Sequence, residues 1–316
     1  MTSTTPHDPA QVDIVRQPAA HFRLNDTVFS LLLLAPALII LSLVVLYPLV
    51  RGVLLSFQSY NLVNITSGAE FIRFQNYKVL LNDPAFMDSW RTTAYFVFIS
   101  VVGQFILGFG TALVLNQKIW QRDFFRGVIL IPWIVPTVVA ALLWKWIFNQ
   151  QYGVFNHLLA SIGLITEYQA WIGNPDLALP AVILVNIWRG FPFHMIILLA
   201  ALQTLPNEVL EAAIIDGASV WQRFIHIVLP LMRYIIMIDL LISIIFSFQQ
   251  FTLLWIMTEG GPVTATSTLS INIYRAAFQS FDFGIGAAIG TMWLVVLTVF
   301  SVLFIRFAGG TGRNRY

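Results

Sequence analysis

Between positions 28 and 50 the chain runs for 23 residues without a charged side chain. At about 1.5 Å of rise per residue, such a helix crosses a hydrocarbon core of roughly 30 Å. Runs with at most one charge follow at 92–115, 127–144, 177–202, 234–257 and 283–305. In lipid every backbone N–H and C=O must be satisfied inside the protein, and runs of this length satisfy them as helices. The expectation is an all-α polytopic membrane protein with six transmembrane helices over 28–308. A polar tail, 1–27, precedes them and a short tail, 309–316, follows. Composition agrees: 58% of residues are hydrophobic and 10% charged, against roughly 25% charged in soluble domains.

The same reading excludes several functions. A net charge of +2 with no Lys/Arg run offers no surface for nucleic acid. Cysteine is absent, so there is no disulfide framework or thiolate nucleophile. His7, His21, His157, His194 and His226 show neither H-x3-H nor HExxH spacing, which argues against a metal centre. The chain has no G-x4-G-K-[ST] phosphate loop and no GxSxG elbow. Asp239, Ser243 and Ser247 share one span, but no histidine neighbours them in sequence. A non-catalytic chain is expected, with no cofactor of its own; were ATP the energy source, a separate subunit would hydrolyse it. The first 27 residues are polar and the run after them is too long for a signal peptide, so span one reads as an uncleaved anchor.

Orientation follows from Lys and Arg near the span ends. With the N-terminus inside, Arg16, Arg23, Lys118, Arg122, Arg126, Arg223, Arg233, Arg306, Arg313 and Arg315 lie inside, whereas Arg51, Arg73, Lys78, Arg91, Lys145 and Arg275 lie outside. The excess favours both termini in the cytoplasm. That places the amphipathic stretch 211–230, EAAIIDGASVWQRFIHIVLP, on the cytoplasmic side. Its grammar is helix–turn–helix: a start and N-cap at Pro206 and Asn207, a first helix over 209–215, a break at Gly217, a second helix over 219–227, and closure at Pro230. The loop between Arg51 and Arg91 holds an aromatic, amphipathic stretch that reads equally as a helix on the bilayer surface or as a docking surface for an external partner. Pro36 and Pro48 read as kinks in span one; span three carries Pro132 and Pro136. At Gly190-Phe191-Pro192 a break is expected to coincide with polar residues.

Polar residues inside a membrane are costly and are functional-site candidates by default. In span four Asn186, Arg189 or Gly190, and Phe193 recur at i, i+3 or i+4, and i+7, on one helical face close to His194. In span five Ser243, Ser247 and Gln250 repeat that spacing. Interhelical hydrogen bonding is the structural reading of such stripes, and two stripes facing one pathway the functional one. Arg189 could meet a substrate or pair with Asp239. Trp188, Phe191, Phe193, Phe246, Phe248 and Phe251 interleave with the stripes. A sugar, with apolar C–H faces and a rim of hydroxyls, suits such a mixture of aromatic planes and polar side chains.

Glu211-Ala212-Ala213, Gly217, Ile227 and Leu229-Pro230 fit the pattern EAA-x3-G-x9-I-x-LP without a gap. That pattern resembles the cytoplasmic loop of permease subunits of bacterial ABC importers. FQNYKVLLNDPAF (74–86), RGVILIPWIVP (126–136), NIWRGFPF (186–193), ALQTLP (201–206) and TEGGPVTATSTLSINIYRAAF (258–278) look like the carbohydrate-uptake branch with the maltose, trehalose and glycerol-phosphate permeases. The resemblance runs from span one to span six. It implies a type I importer permease in a bacterial inner membrane. Its partners would be a second homologous permease, two ATP-binding subunits that hold ATP and Mg, and an extracytoplasmic sugar-binding protein. It also implies ATPase coupling through Glu211, Ala212, Ala213, Asp216, Gly217, Leu229 and Pro230. In maltose-type permeases the substrate contacts match Asn186, Arg189, Gly190, Phe193, Ser243, Ser247 and Gln250. This chain departs there: Arg189 stands for an aliphatic residue, and Ser247 and Gln250 for asparagines. It also lacks the extra N-terminal helices and large external domain of the maltose subunit. The expected solute is a sugar, oligosaccharide or glycoside; the departures argue against maltose and open the reading to one with an anionic group, such as a sugar acid, sulfosugar or glycerol phosphate derivative. The alternative is a secondary transporter or channel with its own ion coupling, for which Asp239 is the one intramembrane acid available.

Overall fold

The computed structural model describes residues 25–63 and 69–310. Almost all of the polar N-terminal tail, and 311–316 of the C-terminal one, lie outside the described residues. The chain divides into two compact units, Met1–Arg51 and Gly52–Tyr316. The first contains α1 (Asp26–Leu41), a π-helical turn (Ser42–Leu46) and the start of α2 (Tyr47–Leu55). The helix passes through Pro36 unbroken, and the π turn ends two residues before Pro48. There the Tyr47 N–H reaches back to the Ser42 carbonyl, which widens the turn before the ring arrives.

The second unit opens with a two-stranded antiparallel hairpin, β1 (Gln58–Ser59) and β2 (Glu70–Phe71), with Gln58 opposite Phe71. The short helix α3 (Gln75–Leu81) folds onto that hairpin. Its buried Asn76 donates through Nδ2 to the carbonyls of Ser56 and Gln58, 2.9 Å each, and its Leu80 packs with Phe86 and Ile289. The amphipathic helix expected between Arg51 and Arg91 therefore exists, with its inner face spent on the protein itself.

Long helices follow. Asp83 caps α4 (Pro84–Leu115) by accepting the Ala85 N–H, and Asn174 caps α8 (Pro175–Gln203) through the Asp176 N–H. Between them lie α5 (Arg122–Ile134), α6 (Thr137–Ile147) and α7 (Val154–Ser161). After α8 come α9 (Asn207–Ile215), α10 (Val220–Arg223), a π turn (Phe224–Val228) and α11 (Leu229–Phe248). The chain continues through α12 (Thr252–Thr258), α13 (Leu269–Tyr274), a third π turn (Arg275–Gln279) and α14 (Phe283–Gly310). Among the described residues five helices are long and apolar enough to cross a membrane. Counting α5 and α6 as one bent span makes six.

Prolines divide the spans differently from expectation. At Pro136 the chain bends by 93° between α5 and α6. Val135 is extended there, with ψ 128°, as a residue before proline prefers, and Pro136 is exposed. Span three is thus a broken helix. Pro192, in contrast, lies buried inside an unbroken α8, so no break occurs at Gly190-Phe191-Pro192. A helix-interior proline costs about 3 kcal/mol, and the packing of α8 holds the helix together against it. That packing is close. A Cβ on Gly108 would run into His194 and the Phe191 carbonyl, and one on Gly190 into the Gln104 side chain, so α4 and α8 approach through their glycines.

Two apolar clusters secure this frame. Phe96, Val97, Val101, Val182, Val185 and Leu254 join α4, α8 and α12. Phe109, Leu115, Leu198, Leu202 and Met232 join α4, α8 and α11, with Phe224, Val228 and Leu229 packed against them.

Candidate functional site

Asn186, Arg189, Gly190, Phe193, Ser243, Ser247 and Gln250 line one cleft of about 150 Å³. All seven residues of the two stripes therefore meet. Gln104 of α4, Trp133 of α5 and Phe246 of α11 complete the wall. Sequence reasoning missed Gln104, although an isolated glutamine in the run 92–115 was a signal for it. It also missed Trp133, because the bend after α5 that directs this helix end could not be read from the residues.

Asn186 is the hub. Its backbone carbonyl accepts from Gln104 Nε2 at 2.9 Å, and its Oδ1 accepts from Gln250 Nε2 at 3.3 Å. Its own Nδ2 is buried without a partner among the described residues, as is Nε of Arg189. Among the described residues the half-buried Arg189 makes no ion pair. The cleft therefore holds unused donors and a fixed positive charge. Phe193 stands 6.3 Å from Trp133 and 6.4 Å from Phe246 between ring centroids, an apolar wall opposite the amides. Of the six interleaved aromatics only Phe193 and Phe246 belong to it. Trp188 packs on Trp144, Phe251 stacks on Trp255, and Phe191 lines a separate apolar groove.

Arg189 is not the partner of Asp239. His194 takes that place: its Nδ1 lies 2.7 Å from Asp239 Oδ2, and its Nε2 lies 3.0 Å from Ser243 Oγ. Asp239 and Ser243 are one turn apart on α11, so a single imidazole from α8 bridges both. All three are buried, at 0%, 0% and 4% exposure for His194, Asp239 and Ser243. The order of groups matches a hydrolytic triad, yet Ser243 sits mid-helix, where neighbouring backbone N–H groups belong to the helix ladder. No pair of free backbone donors stands beside the hydroxyl for an oxyanion.

The loop stands apart from the cleft. α9 starts at Asn207 after Pro206, without a side-chain cap, so Asn207 is the first helical residue and not the cap. It ends in a Schellman turn. Gly217 has φ +76°, its N–H reaches Ile214 O at 3.0 Å, and the Ala218 N–H reaches Ala213 O at 2.9 Å. Ser219 then starts α10 with a capping box to Gln222. The second helix does not close at Pro230: Val220–Phe248 is continuous, and a π turn ending two residues before Pro230 absorbs the ring as it does before Pro48. Glu211, Ala212, Asp216 and Gly217 are exposed, Ala213 is buried and Leu229 packs into the core. Ile215, Val220 and Trp221 are exposed at 86%, 74% and 68%, an apolar tip.

Residues 104–309 match the model of the binding-protein-dependent transport system inner membrane component family. The chain belongs to that family. This permease is 37% identical over 285 residues to the sulfoquinovosyl glycerol transport system permease protein SmoG of Agrobacterium fabrum, covering 90% of this chain and 91% of the relative. It is 35% identical over 236 residues to the trehalose/maltose transport system permease protein MalF of Thermococcus litoralis, covering 75% and 79%. Its fold is that of a chain in the crystal structure of a bacterial ABC transporter involved in the import of the acidic polysaccharide alginate. The TM-score is 0.75 at 23% identity, over 91% of this chain and 97% of that one. A chain in the crystal structure of a bacterial alginate ABC transporter in complex with an alginate pentasaccharide-bound periplasmic protein superposes with a TM-score of 0.74 at 24% identity, over 91% and 94%. The permease is thus an ABC importer component of the inner-membrane class, as the 211–230 pattern implied, and the secondary-transporter alternative falls.

Proposed function

We propose that this permease carries a sugar, oligosaccharide or glycoside with an anionic group from an extracytoplasmic binding protein into the cytoplasm, driven by ATP. The observation that carries the reading is Arg189: a guanidinium without an acidic partner among the described residues, in a cleft of amides, hydroxyls and aromatic rings. A buried charge of this kind is costly unless something pairs with it. A carboxylate, sulfonate or phosphate on the solute supplies the bidentate acceptor that arginine favours. The relatives support it, since one is named for sulfoquinovosyl glycerol and the fold neighbour imports an acidic polysaccharide.

Two ATP-binding subunits hold ATP and Mg and hydrolyse the nucleotide, and a second homologous permease completes the membrane domain. Both termini, and the loop 207–230, face the cytoplasm. Glu211 and the exposed Ile215, Val220 and Trp221 meet the ATPase. Behind them, Phe224 lies 5.5 Å from Phe109, so a push on the loop moves α11 against the α4–α8 core as a rigid body.

The test is uptake into vesicles holding every co-encoded subunit. ATP should drive entry of a sulfonated glycosyl glycerol. Arg189→Leu should reduce that entry about tenfold or more while sparing unsulfonated glucosyl glycerol. Equal losses for both solutes would remove the charge argument, and ATP-independent entry would remove the importer.

A further inference from the structure

Among the cleft residues the His194–Asp239 pair hydrogen-bonds Ser243, and the pair's protonation sets what that hydroxyl offers a solute. Three arrangements satisfy the two distances without leaving an acid proton unbonded, as one placed on the partnerless Asp239 Oδ1 would be among the described residues. With a carboxylate and a neutral imidazole protonated on Nδ1, Nε2 accepts the Ser243 O–H, and the pair carries a net negative charge. With a carboxylate and an imidazolium, both ring nitrogens donate. With a neutral carboxyl donating from Oδ2 to Nδ1, the ring proton sits on Nε2. The last two are net neutral.

The surroundings discriminate. His194 and Asp239 are both 0% exposed. Among the described residues the second carboxylate oxygen, Asp239 Oδ1, has no hydrogen-bond partner, and no cation other than His194 bonds the group. A net charge left in such a site faces the full desolvation penalty, which the neutral arrangements avoid. In both of those, Nε2–H donates to Ser243 Oγ. The Ser243 proton must then point elsewhere. Hydroxyls such as Thr93, Thr111 and Thr298 give theirs to the carbonyl four residues back, but among the described residues Ser243 Oγ bonds only His194. Its open side is the cleft.

We propose that His194 and Asp239 are positioning residues that lock Ser243 as a hydrogen-bond donor to the cleft, where it joins Asn186 Nδ2 and Arg189 in receiving the anionic oxygens of the solute. This rests on the anionic-solute reading above, but the state of the imidazole is a property of the permease alone. In the 15N-histidine-labelled importer in lipid bilayers, the resonances lost in His194→Gln report His194. A proton on Nε2 is expected. An unprotonated, accepting Nε2 would overturn the proposal whatever solute is carried. The functional arm uses the sulfonated glycosyl glycerol: Ser243→Ala should raise its KM about tenfold in a complex that still assembles, and Ser243→Thr should restore it. An unchanged KM in Ser243→Ala would also overturn the donor role. A protonated Nε2 and a Ser243→Ala effect as large for glucosyl glycerol would instead place the error in the solute's charge: the donor would stand and the anionic reading would fall.

Discussion

The loop 207–230 and the cleft are flanked by the same two helices, α8 and α11, yet they are built by opposite means. Every bond that shapes the loop is local: Ala218 to Ala213, Gly217 to Ile214, Ser219 with Gln222. The bonds that shape the cleft join residues far apart in the chain, Gln104 to Asn186, Gln250 to Asn186, His194 to Asp239 and to Ser243. A loop made of short-range bonds keeps its shape while its anchoring helices move. A cleft made of interhelical bonds changes whenever α4, α8 and α11 shift relative to one another. Those are the properties that a coupling element and a gated binding site require.

If this contrast holds, loop substitutions alter coupling and leave solute selectivity alone, whereas cleft substitutions do the reverse. The largest effect is expected for Gly217→Pro. Proline cannot adopt φ +76° and removes the N–H bonded to Ile214, so ATP-driven uptake and co-purification of the ATPase should both be lost while membrane insertion persists. Retained uptake with normal ATPase association would break the coupling role. Next comes His194→Leu, which strands Asp239 in the core. A loss of about 3–5 kcal/mol is expected, read as a lower melting temperature of the purified complex, and His194→Leu/Asp239→Leu should recover part of it. If the double variant is no more stable than the single one, the pair is not the source of the cost. Glu211→Ala should weaken ATPase association without changing the preference between charged and neutral glycosides. A changed preference would erase the distinction between the two regions. The smallest effect belongs to Ser219→Ala, which removes the capping box and costs about 1 kcal/mol of local helix stability. Faster amide exchange confined to residues 219–223 would show it.

Much of this was legible in the residues. Helical spacing alone brought Asn186, Arg189 and Phe193 onto one face and Ser243 and Ser247 onto another, and both faces line the same cleft; Gln250 joins them from beyond the end of α11, where the expected helix has stopped. The turn at Gly217 was legible because only glycine takes a positive φ without strain. His194 was not, since its neighbours in sequence are apolar and its partners lie on α11. Proline chemistry was visible but its outcome was not. Pro136 breaks a helix, Pro192 sits inside one, and Pro230 follows a π turn in a helix that continues past it.

The sequence by itself determined that long apolar helices form, which residues share the face of α8 and where the turn at Gly217 falls, because each depends on periodicity or on one residue's backbone freedom; it did not determine that the helix expected over 234–257 stops at Phe248. Tertiary structure alone decided which proline breaks its helix, what bonds Asp239 and why Arg189 makes no ion pair among the described residues. Those outcomes depend on what packs across the gap between helices. Tight contact of α4 with α8 outweighs the missing N–H of Pro192, and the imidazole brought in by α8 reaches Asp239 and leaves the guanidinium without an acidic partner among the described residues.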